Sequence, residues 1–255
     1  MQDKHVPVIN LHYWLVFAAA TLFGSGAGDL ISERLALWHF HVFHLPLLAV
    51  VLIAILVAEA ADTSPTRAWY WLAITVIPMA SNDLAASSAV YFGVSRLWVF
   101  GGLAIVLVVA YLMVRSDAMH LVAMSLMERP QPAVPLTDAC YWLAMVLAST
   151  LGTVAADFCM FSLRLGPGRT SLILTPLLLT MYFLSGRPET NRVLAYWLMV
   201  VVLNSTATAT GRFLARDPSL GLDLPMSVAL TGAVLGGLLL LRQRPPRTGR
   251  TRRTR

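Results

Sequence analysis

Four ionisable side chains, Asp29, Asp83, Asp157 and Arg212, stand inside long apolar runs where charge is expensive. An aspartate at the centre of a membrane helix costs about 2.5–3.5 kcal/mol on insertion scales, less towards the ends. Two reasons justify such a cost: a structural ion pair, or a site for a cation or proton. Steps of four and of seven or eight residues stay on one face of a helix. Ahead of Asp29 on that face come Ser25 and Thr21; ahead of Asp157 come Thr153, Thr150 and Ser149; ahead of Arg212 come Thr208, Ser205 and Asn204; Asn82 and Ser81 adjoin Asp83. Carboxylate, hydroxyl and amide oxygens are hard ligands, suited to protons or to Mg-, Mn- or Ca-like cations. Arg212 could instead neutralise one of the aspartates. Small residues interleave with the stripe, among them Gly24, Gly26, Gly28 and Gly152. The same stripe can therefore be read as helix–helix contact, with the hydroxyls bonded to neighbouring backbones.

A second set is the histidine cluster that starts at Trp38. His41 and His44 are three apart and share a helical face, while His39 points away. Neutral imidazole suits transition metals, so His41 and His44 are candidate metal ligands, although histidines among interfacial aromatics are ordinary. No phosphate-cradling Gly-Lys loop, His-Glu-x-x-His helix, nucleophile elbow or paired Cys-x-x-Cys occurs. An enzyme is not expected, and no cofactor is indicated. A lipid-directed enzyme would need a base and nucleophile converging at headgroup depth, and no convincing pair is present.

The elements that must position these groups follow from composition. Of 255 residues, 57% are hydrophobic and 13% charged, against about 25% charged in soluble domains. A bilayer span needs roughly 20 mostly apolar residues. Stretches of that kind lie near 12–31, 39–59, 70–91, 97–114, 139–161, 170–186, 194–211 and 224–241. The expected fold class is all-α, a polytopic membrane protein of about eight transmembrane helices. The 115–138 connection, with Pro130 and Pro132, reads as a linker between halves. Seven arginines crowd residues 242–255 after the last span. This tail is expected to be disordered and to meet anionic headgroups on the cytoplasmic side, not nucleic acid, which puts both termini in the cytoplasm. Residues 1–28 imitate a signal peptide, but cleavage is not expected because the segment recurs within the chain. Cys140 and Cys159 are too far apart along one span to bond each other and read as packing residues.

That recurrence organises the chain. A Tyr-Trp pair opens every other span, at Trp14, Trp71, Trp142 and Trp197. Each unit holds two spans, so all four units start on the same side and are parallel repeats. They are delimited as 1–62, 63–116, 139–188 and 189–241, with 117–138 as linker. The four tryptophans mark one interface, where an aromatic belt at headgroup depth would account for them. Fifteen residues after Trp14, Trp142 and Trp197 stand Asp29, Asp157 and Arg212, roughly 22 Å along the helix. The second unit has Ala86 at that place and Asp83 three residues earlier.

With Trp14 to Asp29 and Trp142 to Asp157 as its best copies, the chain resembles a bacterial family of membrane-anchored proteins built from four tandem two-helix repeats of unknown function. The shared stretches are Thr21-Leu22-Phe23-Gly24 through Asp29 and Ser149-Thr150-Leu151-Gly152 through Asp157. The second copy lacks the glycine, and the fourth has Arg212 where the pattern expects Asp. The resemblance implies an eight-helix protein of the cytoplasmic membrane and no particular substrate. Two functions remain in view: a secondary transporter or exporter of a small cation or proton-coupled solute, or a non-transporting scaffold held by an Asp/Arg ion-pair centre.

Overall fold

Asn10 starts the first helix: its Oδ1 accepts from the Tyr13 amide at 2.8 Å, the cap bond that satisfies an otherwise orphaned N–H. Residues Leu11–Leu37 then run unbroken as α1. The computed structural model describes residues 6–7, 9–37, 41–62, 68–91, 98, 101–102, 105, 137, 139–186, 192–217, 220 and 222–242. Beyond α1 these form α2 (His41–Ala61), α3 (Ala68–Tyr91), α4 (Ala139–Asp157), α5 (Gly166–Ser185), α6 (Arg192–Arg216) and α7 (Leu224–Arg242). Asp223 caps α7, accepting from the Met226 amide at 2.9 Å, with Pro225 in the first turn where its missing N–H costs nothing. After Asp157 the fourth helix loosens into one π turn, Phe158–Ser162, and the chain reverses through positive φ at Arg164 and Gly166.

Among the described residues there are seven α-helices and no strand. Four stretches of the described residues are long and apolar enough to cross a membrane: Leu11–Arg34, Ala139–Ser162, Val193–Arg216 and Leu224–Leu241. Length and composition thus mark the chain as a helical membrane protein. Helices α1, α3, α4 and α6 close an inner ring in that cyclic order, and α2, α5 and α7 lie outside it against α3, α6 and α1. The polarity is inverted relative to a water-soluble fold. Thr21, Asn82, Thr153 and Asn204 are buried, while α2 exposes Val50, Ile53 and Val57, and α5 exposes Leu172, Ile173 and Phe183. Such a surface suits hydrocarbon, where every polar group must be answered internally.

Two ring contacts are glycine-mediated. A Cβ built on Gly24 would fall 2.1 Å from the Thr75 carbonyl oxygen, and one on Gly152 would fall 2.6 Å from that of Val201. The α1–α3 and α4–α6 backbones therefore touch, in the manner of small-residue membrane contacts.

Several expectations change. The apolar windows ending near 31 and 211 stop too early, because α1 continues to Leu37 and α6 to Arg216. Hydropathy counts Asp29 and Arg212 as costs, whereas here they face each other between the adjacent helices α1 and α6. Cys140 is exposed rather than packed. The 97–114 stretch apart from 98, 101–102 and 105, the linker apart from Thr137, and the tail after Arg242 lie outside the described residues. So do His39 and the side chains of His41 and His44, and the metal reading with them; among the described residues no group of three potential ligands is present.

Candidate functional site: a polar axis closed by tyrosines

Every fourth residue of each inner helix belongs to one central column. On α1 these are Tyr13, Phe17, Thr21, Ser25 and Asp29; on α3, Tyr70, Ile74, Pro78 and Asn82; on α4, Tyr141, Met145, Ser149, Thr153 and Asp157; on α6, Tyr196, Val200, Asn204, Thr208 and Arg212. A ridge of every fourth residue is inclined to its own helix, so the helices lean around the common axis. The column runs sixteen residue steps along α1, from Tyr13 to Asp29, or about 24 Å.

One end is shut by hydroxyls. Tyr13 bonds Tyr70 at 2.9 Å, Tyr70 bonds Tyr141 at 2.8 Å, Tyr141 bonds Tyr196 at 2.8 Å, and Tyr196 returns to Tyr13 at 2.9 Å. Four bonds drawn from four single protons require each hydroxyl to donate once and accept once. Each phenol also packs on the tryptophan of the next helix: Tyr13 on Trp71 at 5.6 Å, Tyr70 on Trp142 at 5.5 Å, Tyr141 on Trp197 at 5.7 Å and Tyr196 on Trp14 at 5.6 Å. The tyrosines are 2–5% exposed, and Trp14, Trp71 and Trp142 are buried too. An aromatic belt would have these hydroxyls meet headgroups; here the four tyrosine hydroxyls bond one another. The signal was present, since two more steps of four back from Thr21 reach Phe17 and Tyr13.

Because each ring hydroxyl answers two others, Tyr13→Phe should destabilise the protein by about 1–2 kcal/mol, leaving two neighbours each short of a partner in a dry interior. Replacing all four tyrosines by phenylalanine removes every orphan and should cost clearly less than the four single changes summed. Thermal unfolding in detergent would read this. Strictly additive costs would mean the hydroxyls do not act as a ring.

Inward from the ring, Phe17, Ile74, Met145 and Val200 form an apolar layer, each at most 1% exposed. The gap between this layer and the next has no room for a water molecule. Polar groups then begin. Ser149 donates to Asn204 Oδ1 at 2.8 Å, and Asn204 Nδ2 donates to the Val200 carbonyl at 2.8 Å. A layer further on, Thr153 donates to Asn82 Oδ1 at 3.2 Å, and Asn82 Nδ2 donates to Ser25 Oγ at 2.9 Å. Thr150 reaches Ser81 at 3.3 Å across the α3–α4 seam while also bonding its own Val146 carbonyl. Thr21 bonds the Phe17 carbonyl, and Thr208, four residues before Arg212, is buried.

The far end is ionic. Arg212 Nη1 donates to Asp157 Oδ1 in a close charge-assisted hydrogen bond, and Arg212 Nε lies 3.9 Å from Asp29 Oδ2. Asp29 also receives Asn82 Nδ2 at 3.4 Å. Of the candidate residues the structure thus brings together Asp29, Asp157, Arg212, Ser25, Asn82 and Thr153. Asn82, not Asp83, takes the axial position on α3, and Asp83 follows it about 100° round the helix.

Residues 140–190, which carry α4, the π turn and α5, match the family described as Repeat of Unknown Function (DUF347). No curated protein and no solved structure matches the chain. The matched segment is DUF347-like, and it contributes Tyr141, Ser149, Thr153 and Asp157 to the column.

Proposed function

We propose that the chain is a secondary transporter of a small cation or proton-coupled solute, built as four tandem copies of a two-helix unit in the bacterial cytoplasmic membrane, with both termini inside. The observation that carries this reading is the convergence of Ser25, Asn82, Ser149, Thr153 and Asn204, from all four inner helices, on one axis that ends in Asp29, Asp157 and Arg212. Helix association alone needs no such alignment, because scattered hydroxyls bonding their own backbone would serve. Polar groups at membrane depth commonly mark ion and proton paths. In this reading the tyrosine ring and the apolar layer under it are the closed gate, and Asp29 and Asp157 are the carboxylates that meet the solute.

Proton and divalent-cation flux into liposomes tests it. Wild type should conduct, and the Asp29→Asn, Asp157→Asn double variant should lose most of that flux while keeping its monodisperse elution in detergent. Wild type that moves nothing across a broad cation panel would refute the reading.

A second reading, a non-transporting scaffold, is favoured by one specific observation: Arg212 contacts both axial aspartates. Under it the ions lock helix order and activity lies in partner binding.

A further inference from the structure

Arg212 lies across the mouth of the column. It leaves α6 and reaches carboxylates on both neighbouring inner helices, Asp157 of α4 and Asp29 of α1. Those two helices stand diagonally opposite in the ring, so the guanidinium bridges the axis instead of lining one wall. Phe161, carried by the π turn that follows Asp157, lies with its ring centroid 5.8 Å from Arg212 Cζ, a cation–π contact. One turn outward, Arg216 and Glu33 pair at 3.8 Å, both more than half exposed. Helix α1 thus presents two acids and α6 two bases, four residues apart, in matching register.

We propose that the Arg212 guanidinium is a tethered cation, seated between Asp29 and Asp157 where a diffusible guanidinium-type cation would otherwise bind, and that it closes the mouth of the column. Two carboxylates meet one guanidinium there, so the seat keeps a net negative charge and attracts a cation once the tether withdraws. Glu33, one turn outward on the same helix, is the carboxylate that receives the withdrawn side chain, in exchange for its exposed partner Arg216. Planar, delocalised guanidinium suits the seat better than a compact ammonium, since it offers donors to two carboxylates while its face meets Phe161. The closing role rests on the proposed solute path; the seat does not.

The test uses purified full-length Arg212→Gln and Arg212→Ala in nanodiscs, the glutamine variant keeping most of the side-chain volume. Unfolding midpoints are followed during a millimolar titration of guanidinium chloride, against tetramethylammonium chloride at equal ionic strength, and guanidinium uptake is measured in liposomes. Guanidinium should raise the midpoint of the Arg212 variants, leave wild type unmoved, and lose its effect when Asp157→Asn is added; uptake should rise severalfold over wild type. Equal responses to the two salts would overturn the seat. A selective midpoint response with no uptake by either protein would keep the seat and overturn both the closing role and the transporter reading.

Discussion

Replacing Arg212 by alanine is expected to destabilise the protein by about 3 kcal/mol, the lower end of the range for removing one partner of a buried pair. The lower end applies because the three side chains keep 11–18% exposure. Two aspartates would face each other across the axis without their counter-charge, and Asn82 could hydrogen-bond only Asp29. The order of rescue is the sharper part. Asp157→Asn in the Arg212→Ala background should restore more stability than Asp29→Asn, because Asp157 holds the direct hydrogen bond while Asp29 sits 3.9 Å away and retains its amide partner. Asp157→Asn alone should cost less than Arg212→Ala, since the guanidinium keeps Asp29. Chemical or thermal unfolding in one detergent gives all four values. A reversed order of rescue would mean that Arg212 and Asp157 are not the dominant pair.

Much of the column is legible in the sequence. Steps of four from Asp29, Asp157 and Arg212 pick out Ser25, Thr153 and Thr208; Ser25 and Thr153 both bond the axial Asn82, and Thr208 is buried. That Arg212 could neutralise an aspartate followed from charge alone. Which aspartate it meets did not, because the answer depends on the cyclic order of helices that are far apart in sequence. That the tyrosine hydroxyls bond one another did not follow either, for a related reason. A Tyr-Trp pair at the head of an apolar span fits both headgroups and a neighbour's ring, and only a closed bundle offers the second. Asp83 illustrates a limit of alignment by residue type: charge made it the apparent equivalent of Asp29, whereas helical register gives the axial position to Asn82.

Register also explains why the ring is less symmetric than its tyrosines. Ten residues after Trp14 and Trp142 stand Gly24 and Gly152, but Ser81 and Ala207 hold the corresponding places after Trp71 and Trp197. The close backbone approaches are therefore the α1–α3 and α4–α6 seams. Of the other two seams, α3–α4 carries the Thr150–Ser81 and Thr153–Asn82 hydrogen bonds, and α1–α6 carries the opposed charges Asp29 and Arg212. Fourfold at the hydroxyls, the bundle is twofold in how its backbones meet.

Gly24→Val and Gly152→Val should accordingly be among the most damaging single changes in the chain. Overpacking usually costs about 1–3 kcal/mol when side chains can move aside. Here the first added atom meets backbone: the Thr75 carbonyl oxygen at 2.1 Å in one case, and the Val201 carbonyl oxygen at 2.6 Å with Asn204 Cβ at 2.7 Å in the other. Helix must separate from helix, which would open the column at Asn204 and part the tyrosines above it, so a cost above that range is expected. Gly236 supplies the control, because a Cβ there meets nothing within 4 Å. Gly236→Ala should be neutral or stabilising by up to about 1 kcal/mol through helix propensity alone. Yield and unfolding midpoint of the three variants in the same detergent decide the matter. If Gly24→Val and Gly152→Val unfold no earlier than Gly236→Ala, the α1–α3 and α4–α6 contacts are not the tight seams on which the column depends.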